Sequence, residues 1–390
     1  MGNKLIIPYG RQNITEEDIK SVERVLRSDF LTQGPEVPNF ESNFSNYVGS
    51  KYSVAVNSAT SGLHLGCLAL GLKSGDRLWT SAVTFVASAN CALYCGASVD
   101  LVDIDESTAN MSIDSLKKKL IQAKKTDTLP HIVIPVHLSG LSCDMQEIKK
   151  LSDEYGFSII EDASHASGGS YDNSKIGSCD YSDLSVFSFH PVKNLTSGEG
   201  GMITTNSGDI YRKVKLLREH GINKEPEYMT LKSDGPWYYE QIDLGLNYRM
   251  TDISAALGNS QLKRLEANTI KRNEIADFYN NEFEGLPLNL PFQDLNNISG
   301  RHLYVIRLRN ENIRKTHQEV FIDLRAKGIG VNLHYIPIYR HPFYKKFTFD
   351  MNSFPNSEAY YESAISIPMF PELSEEELDY VVQSVKKAIA

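Results

Sequence analysis

From residue 51 onward the chain alternates short β-rich runs with helical stretches, and that alternation restricts the fold more than any other feature. Tyr52 to Asn57 (YSVAVN) reads as a strand and passes directly into the helical text TSGLHLGCLALGL. The strand signal returns at Arg77 to Ser81, Val99 to Asp103, His131 to Val136 and Phe157 to Glu161. Helical stretches lie between them, among them Ser112 to Ala123 and Met145 to Tyr155. Parallel strands need a crossover between them, and a helix is the usual one, so this rhythm predicts an α/β domain with a mostly parallel sheet covered on both faces. In such sheets ligands collect beyond the C-terminal ends of the strands.

A different rhythm begins near residue 263. The polar helix LKRLEANTIKRNEIADFYNNEF runs into the turn-rich Gly285 to Pro291, followed by HLYVIRL as a strand, THQEVFIDLRAKG as an amphipathic helix and VNLHYIP as another strand. The expected division is a large domain over 1–262, including an N-terminal leader, and a smaller α+β domain over 263–390. With 390 residues, 41% hydrophobic and 23% charged, the chain has the proportions of an ordinary globular enzyme. A net charge of −9 argues against a general electrostatic hold on nucleic acid, so anionic ligands require local donors. No apolar run approaches the ~18 residues of a membrane span. The start, MGNKLIIPYGRQ, shows no signal-peptide core, and five cysteines without a CxxC pair fit a reducing, cytoplasmic setting. Cys91 and Cys95, four apart in apolar text, are expected on one buried helix face.

Five stretches carry candidate chemistry. In Asn57-Ser-Ala-Thr-Ser-Gly-Leu63 a strand end meets a helix start, where free amides and the Thr60 and Ser61 hydroxyls could hold an anion such as phosphate; simple N-capping is the commoner use of such residues. Ile159-Ile-Glu-Asp-Ala-Ser-His165 ends an apolar strand on carboxylates, and Asp162 could hold a protonated ring nitrogen or merely cap the turn. Val186 to Gly201 (VFSFHPVKNLTSGEGG) delivers Ser188, His190 and Lys193 into a glycine-bounded loop. A lysine among apolar and small residues can have its pKa lowered and act as an amine nucleophile. Leu244 to Leu257 places Asn247, Tyr248 and Arg249 before an Ala-rich helix that Thr251 and Asp252 can cap. Val331 to His341 gathers two histidines, two tyrosines and an arginine, a mixture suited to a sugar or base and equally to a wet domain edge. GxGxxG after a strand, GxxxxGK[ST], HExxH and GxSxG are all absent, which weighs against dinucleotide enzymes, kinases, metalloproteases and serine hydrolases.

Taken in order, NSATSGLH, EDASHASG, SFHPVKNLTSGEGG and GLNYRMTDISAALGNSQL resemble the sugar-nucleotide aminotransferases of the DegT/StrS type, and the resemblance runs from IPYGRQ to ISIP. It implies the aspartate-aminotransferase-like fold type I of pyridoxal-phosphate (PLP) enzymes, with a mixed, mostly parallel seven-stranded sheet. It implies Lys193 as the Schiff-base lysine, which also shuttles protons, and Asp162 as the partner of the pyridine nitrogen. Phe85 would stack on the ring with His165 beside it. Ala59, Thr60, Ser61 and Ser188 would hold the phosphate, joined by Asn247 of a second subunit. Tyr9, Asp29, Phe30, Leu31, Thr32, His334, Tyr339, Arg340 and His341 would line the substrate site. WTSAVTFVASANCALYCGA and GPWYYEQIDLGLNYRM resemble the branch acting in pseudaminic acid synthesis. The implied reaction moves an amino group from L-glutamate to a UDP-linked 4-keto-6-deoxy-N-acetylhexosamine, in a homodimer with shared sites and no metal. SAV before Thr84, and Ser167 after Ala166, depart from the usual family text without touching a residue given a role.

Overall fold

The computed structural model describes residues 6–292, 294 and 296–390. Helices α1 (Glu16–Leu26) and α2 (Glu36–Val48) precede the first strand. Then come β1 (Tyr52–Val56), α3 (Ala59–Ala69), β2 (Arg77–Ser81), α4 (Ala87–Tyr94), β3 (Ser98–Val102), α5 (Ile113–Thr126), β4 (Ile132–Ile134), α6 (Met145–Tyr155), β5 (Ser158–Asp162), β6 (Leu184–Ser188), β7 (Gly201–Thr205) and α7 (Gly208–Arg218). The seven strands form one sheet in the order β1-β7-β6-β5-β4-β2-β3. Strands β2 to β6 run parallel to one another, and β7 is antiparallel to both β1 and β6. Every residue of β6 and β7 is buried, as in strands covered on both faces.

Helix α2 docks through Phe40 and Phe44, whose rings meet Phe187 and Phe189 at 5.0–5.5 Å in tilted or edge-on geometry. Its N-terminus is held from a distance. Asp252 opens α8 (Asp252–Leu262), yet its carboxylate accepts from the amides of Gly34, Glu36 and Val37 at 2.8, 2.8 and 3.3 Å. The cap of α8 is Thr251 alone, whose hydroxyl accepts from the Ser254 amide. Asp252 was expected to share that role; it serves α2 instead, because three free amides of another helix end face it. Asp252→Ala should therefore cost about 2–4 kcal/mol, read as a lower urea midpoint at unchanged slope. A midpoint equal to wild type would show that those amides find other acceptors.

Beyond α8 lie α9 (Leu265–Phe283) and an antiparallel sheet of β8 (Leu288–Asn289), β9 (Tyr304–Leu308) and β10 (Ala364–Ile367), with α10 (His317–Ala326), α11 (Pro355–Tyr361) and α12 (Glu375–Ile389). This region has its own apolar cluster, including Tyr279, Phe283, Tyr304 and Val381, and Ile7 from the leader joins it. Conversely Ile338, Tyr339, Tyr344 and Phe354 pack into the cluster of the large sheet. Two expectations fail here. Val331 to Pro337 is not a strand: only Asn332 bridges, to Ser366, after which the His334 ring bonds Ser366 and its carbonyl accepts from Tyr360 (2.7 Å) in place of a ladder. Cys91 is buried in α4, but Cys95 lies just past the helix end and is half-buried.

Candidate active site

The C-terminal ends of β1, β2, β5 and β6 open onto one cavity of about 680 Å³. It is lined by Ala59 and Thr60 after β1, Thr84 and Phe85 after β2, Asp162 and His165 at β5, and Ser188 and Lys193 after β6. Tyr9, His302, His334, Tyr335 and His341 line it from the C-terminal region and the leader. Residues far apart in sequence meet here because parallel strands all end at the same edge.

Lys193 lies in the loop between β6 and β7, and no hydrogen-bond partner for its amine is present among the described residues. Removal from bulk water pulls its pKa down to about 8, with Asp162 acting in the opposite sense. About a quarter of such an amine is unprotonated at pH 7.5, against roughly one part in a thousand for an ordinary lysine. That is the form able to attack a carbonyl or accept a proton. Asp162 is buried and accepts from the Ser88 hydroxyl at 2.6 Å and the Ser164 amide at 3.1 Å. Ser88 in turn bonds Thr84 at 2.9 Å. The carboxylate is thus held in one orientation by donors alone.

His165 sets a second line of bonds. The Ser139 amide donates to its Nδ1 at 3.2 Å, so the ring proton sits on Nε2 and is directed to the Tyr335 hydroxyl at 3.0 Å. Burial, with Lys193 and His334 adding positive charge nearby, holds the His165 pKa well below its ordinary value, consistent with a neutral ring. The Tyr335 proton is then free to point elsewhere.

The N-terminus of α3 leaves the Ala59 and Thr60 amides without intrahelical acceptors, and both residues line the cavity. A Cβ on Gly201 would stand 2.7 Å from the Ala59 nitrogen, so only glycine lets β7 run this close to the cradle. Ser61 turns inward, donating to Asn57 at 2.6 Å, and lies outside the lining. Its amide is likewise taken, donating to the capping Ser58 hydroxyl at 3.1 Å. These groups fit PLP: a free helix end for phosphate, the flat, half-exposed Phe85 for the ring face, a fixed carboxylate for the ring nitrogen and a half-buried amine for the aldehyde.

Other expected residues lie elsewhere. Tyr339 stacks on Phe354 at 4.6 Å and bonds Glu358, and Arg340 forms an ion pair with the same carboxylate, so neither reaches the cavity. Asp29 to Thr32 form the link between α1 and α2 at the surface, with Phe30 and Leu31 exposed. Asn247 pairs through its backbone with Glu219 and is outside this chain's own cavity. The sequence reading missed Ser88, Tyr335 and His302. Ser88 sits in the quoted run TFVASAN, but nothing there signals a bond to a residue 74 positions away.

The fold and this site define an aminotransferase that works with pyridoxal phosphate. The model of the DegT/DnrJ/EryC1/StrS aminotransferase family matches residues 12–386, and the chain belongs to that family. It is 39% identical over 378 residues to the UDP-4-amino-4,6-dideoxy-N-acetyl-beta-L-altrosamine transaminase of Campylobacter jejuni, covering 96% of each chain. The solved structure of Helicobacter pylori PseC, an aminotransferase involved in the biosynthesis of pseudoaminic acid, superposes with a TM-score of 0.90 at 30% identity over 99% of both chains. Spr1654 of Streptococcus pneumoniae, in its PLP form, superposes at 0.87 with 29% identity over 98% of both. The chain is a PLP-dependent sugar aminotransferase.

Proposed function

We propose that this enzyme transfers the amino group of L-glutamate to the C4 ketone of a UDP-linked 4-keto-6-deoxy-N-acetylhexosamine, giving a 4-amino sugar nucleotide for a pseudaminic acid-type glycan. The observation that carries the chemistry is one cavity holding the depressed Lys193 amine and the donor-locked Asp162. The choice of sugar is supported by the names of the Campylobacter and Helicobacter relatives. Five free cysteines and a set of described helices none of which is long and apolar enough to cross a membrane support action in the cytoplasm.

When bound, PLP supplies an electron-withdrawing ring that stabilises negative charge beside the transferred nitrogen. Lys193 would hold it through Nζ, and the same amine, when free, would accept and return a proton. Asp162 would pair with the ring nitrogen and favour its protonated form. Ala59, Thr60 and Ser188 would bind the phosphate, Phe85 would cover one ring face, and neutral His165 orients Tyr335. Tyr9, His334 and His341 face the sugar nucleotide.

We infer a homodimer with shared sites. Asn247 lies outside its own cavity, and Leu231, Trp237 and Leu244 before it are at least 70% exposed, an apolar surface that a second copy would cover. Asp29 to Thr32 would enter the neighbouring site by the same symmetry. Mixing Lys193→Ala with Asn247→Ala protomers should restore activity through one intact site per hybrid, up to about a quarter of all sites at random 1:1 mixing. Active, cofactor-loaded monomers would overturn the shared site.

The substrate is tested by mass spectrometry of parallel reactions with the L-arabino and D-xylo 4-keto isomers plus L-glutamate. The L-arabino isomer should give the 4-amino product and 2-oxoglutarate, and the unlinked sugar should be far poorer because the nucleotide's binding energy positions the ketone. Preference for D-xylo moves the enzyme to a bacillosamine- or legionaminate-type branch. Failure with every nucleotide-linked ketone removes the substrate class.

A further inference from the structure

Tyr335 lines the catalytic cavity and is held there from several sides. Its ring packs on the apolar cluster of Val83, Leu303 and Tyr360, and lies 5.8 Å from Phe85 and 5.0 Å from His334. The Tyr360 hydroxyl donates to the His334 carbonyl at 2.7 Å, which fixes the backbone one residue ahead. The Tyr335 oxygen takes the Nε2 proton of His165 at 3.0 Å, and the Ser139 amide on Nδ1 keeps that proton in place. Among the described residues nothing accepts the phenol's own proton, so the O–H is left as a free donor at the cavity wall. Burial, with the negative charge of Asp162 nearby, pushes the Tyr335 pKa up, so the proton stays on oxygen through the neutral range.

An aminotransferase replaces a carbonyl oxygen by nitrogen, and the oxygen has to leave as water, which requires a proton donor. Lys193 is itself the attacking amine when the cofactor's aldehyde is taken up, so it is not that donor. The imidazoles of His165, His302 and His334 are grouped around Tyr335. Burial and the charge of Lys193 hold all three below their ordinary pKa, so they carry no spare proton near pH 7. Tyr9 also faces the cavity, but among the described residues no hydrogen bond backs its hydroxyl. We propose that Tyr335 is the catalytic proton donor to the carbonyl oxygen whenever C=O is exchanged for C=N in this site, for the cofactor's aldehyde and the sugar's ketone alike. As nitrogen adds to the carbonyl carbon, the electron pair of the C–O π bond moves to oxygen, which takes the Tyr335 proton and becomes a hydroxyl. One of the two amine protons then returns to the Tyr335 oxygen. The other joins the hydroxyl, which departs as water while the C=N bond closes. In the interval the His165 Nε2–H, already 3.0 Å from the oxygen, steadies the phenolate with a charge-assisted hydrogen bond. This role is independent of which sugar or amino donor the enzyme uses.

The test needs no sugar. Full-length enzyme freed of cofactor is mixed with pyridoxal phosphate, and the visible band of lysine-bound cofactor is followed in time. Tyr335→Phe keeps the ring and its packing but has no proton to give, so its band should grow more slowly by roughly tenfold or more. Two controls break no C–O bond. Pyridoxamine phosphate has no carbonyl and should bind Tyr335→Phe with wild-type affinity. Hydroxylamine releases Lys193 from the loaded enzyme by exchanging one C–N bond for another, and should do so at the wild-type rate. An unchanged rate of band growth in Tyr335→Phe overturns the proposal. So does a slowing matched by an equal loss of pyridoxamine phosphate affinity or an equal slowing with hydroxylamine, because Tyr335 would then only shape the pocket.

Discussion

Lys193→Ala loses turnover by about four orders of magnitude or more, while the protein still folds and takes up cofactor without a covalent link. The loss follows from two duties that need one amine at one place: anchoring the aldehyde and moving a proton on one face. The fold is spared because the Lys193 amine has no hydrogen-bond partner among the described residues, so removing it orphans no other group. Its lowered pKa adds a further expectation. A lysine whose folded pKa lies near 8, below its unfolded value, destabilises the cofactor-free protein fully at pH values below 8. The unfolded chain binds the extra proton between that value and the ordinary one, so wild-type stability rises across this interval. Cofactor-free Lys193→Met should therefore match or exceed wild type at pH 7 and lose that advantage by about pH 10.5. Glutamate-coupled turnover, the visible band of lysine-bound cofactor and chemical denaturation at both pH values check the three parts. Wild-type turnover in Lys193→Ala would remove the assignment.

Asp162→Asn should lower kcat by on the order of 10²–10³ while leaving Tm close to wild type. The amide oxygen still accepts from Ser88 or Ser164, but a neutral group no longer favours a proton on the ring nitrogen. Asp162→Ala should lose the rate and also about 1–3 kcal/mol of stability, because the Ser88 hydroxyl and Ser164 amide are left buried without an acceptor. The pair of variants separates charge from support. Undiminished rates in Asp162→Asn would reduce Asp162 to a strand-end cap.

The neutral His165 and Tyr335 show how the site is supported from outside. A backbone amide on Nδ1 decides which nitrogen carries the proton, and the phenol then receives it.

Much of this molecule was legible in the chain because its causes are local. Continuous apolar runs ending in NSAT, EDAS and SFHPVK specify buried parallel strands and the residues at their carboxyl ends, so the edge holding Thr60, Asp162 and Lys193 follows from the pattern. The partners of those residues were not legible. Ser88 reaches Asp162, Asp252 caps α2 from across the fold, and Ser61 turns back to Asn57. Each is settled by which free donors and acceptors packing brings within 3 Å or so, a question that spacing along the chain cannot answer. The same holds for Tyr339 and Arg340, whose types suited a sugar site but which Glu358 draws away, and for Val331 to Pro337, where side-chain bonds to Ser366 and Tyr360 replaced an expected strand. Periodicity and strand-end chemistry determined where the site lies; tertiary structure decided which neighbours give each group its charge and direction, because those bonds join segments that only the folded sheet places side by side.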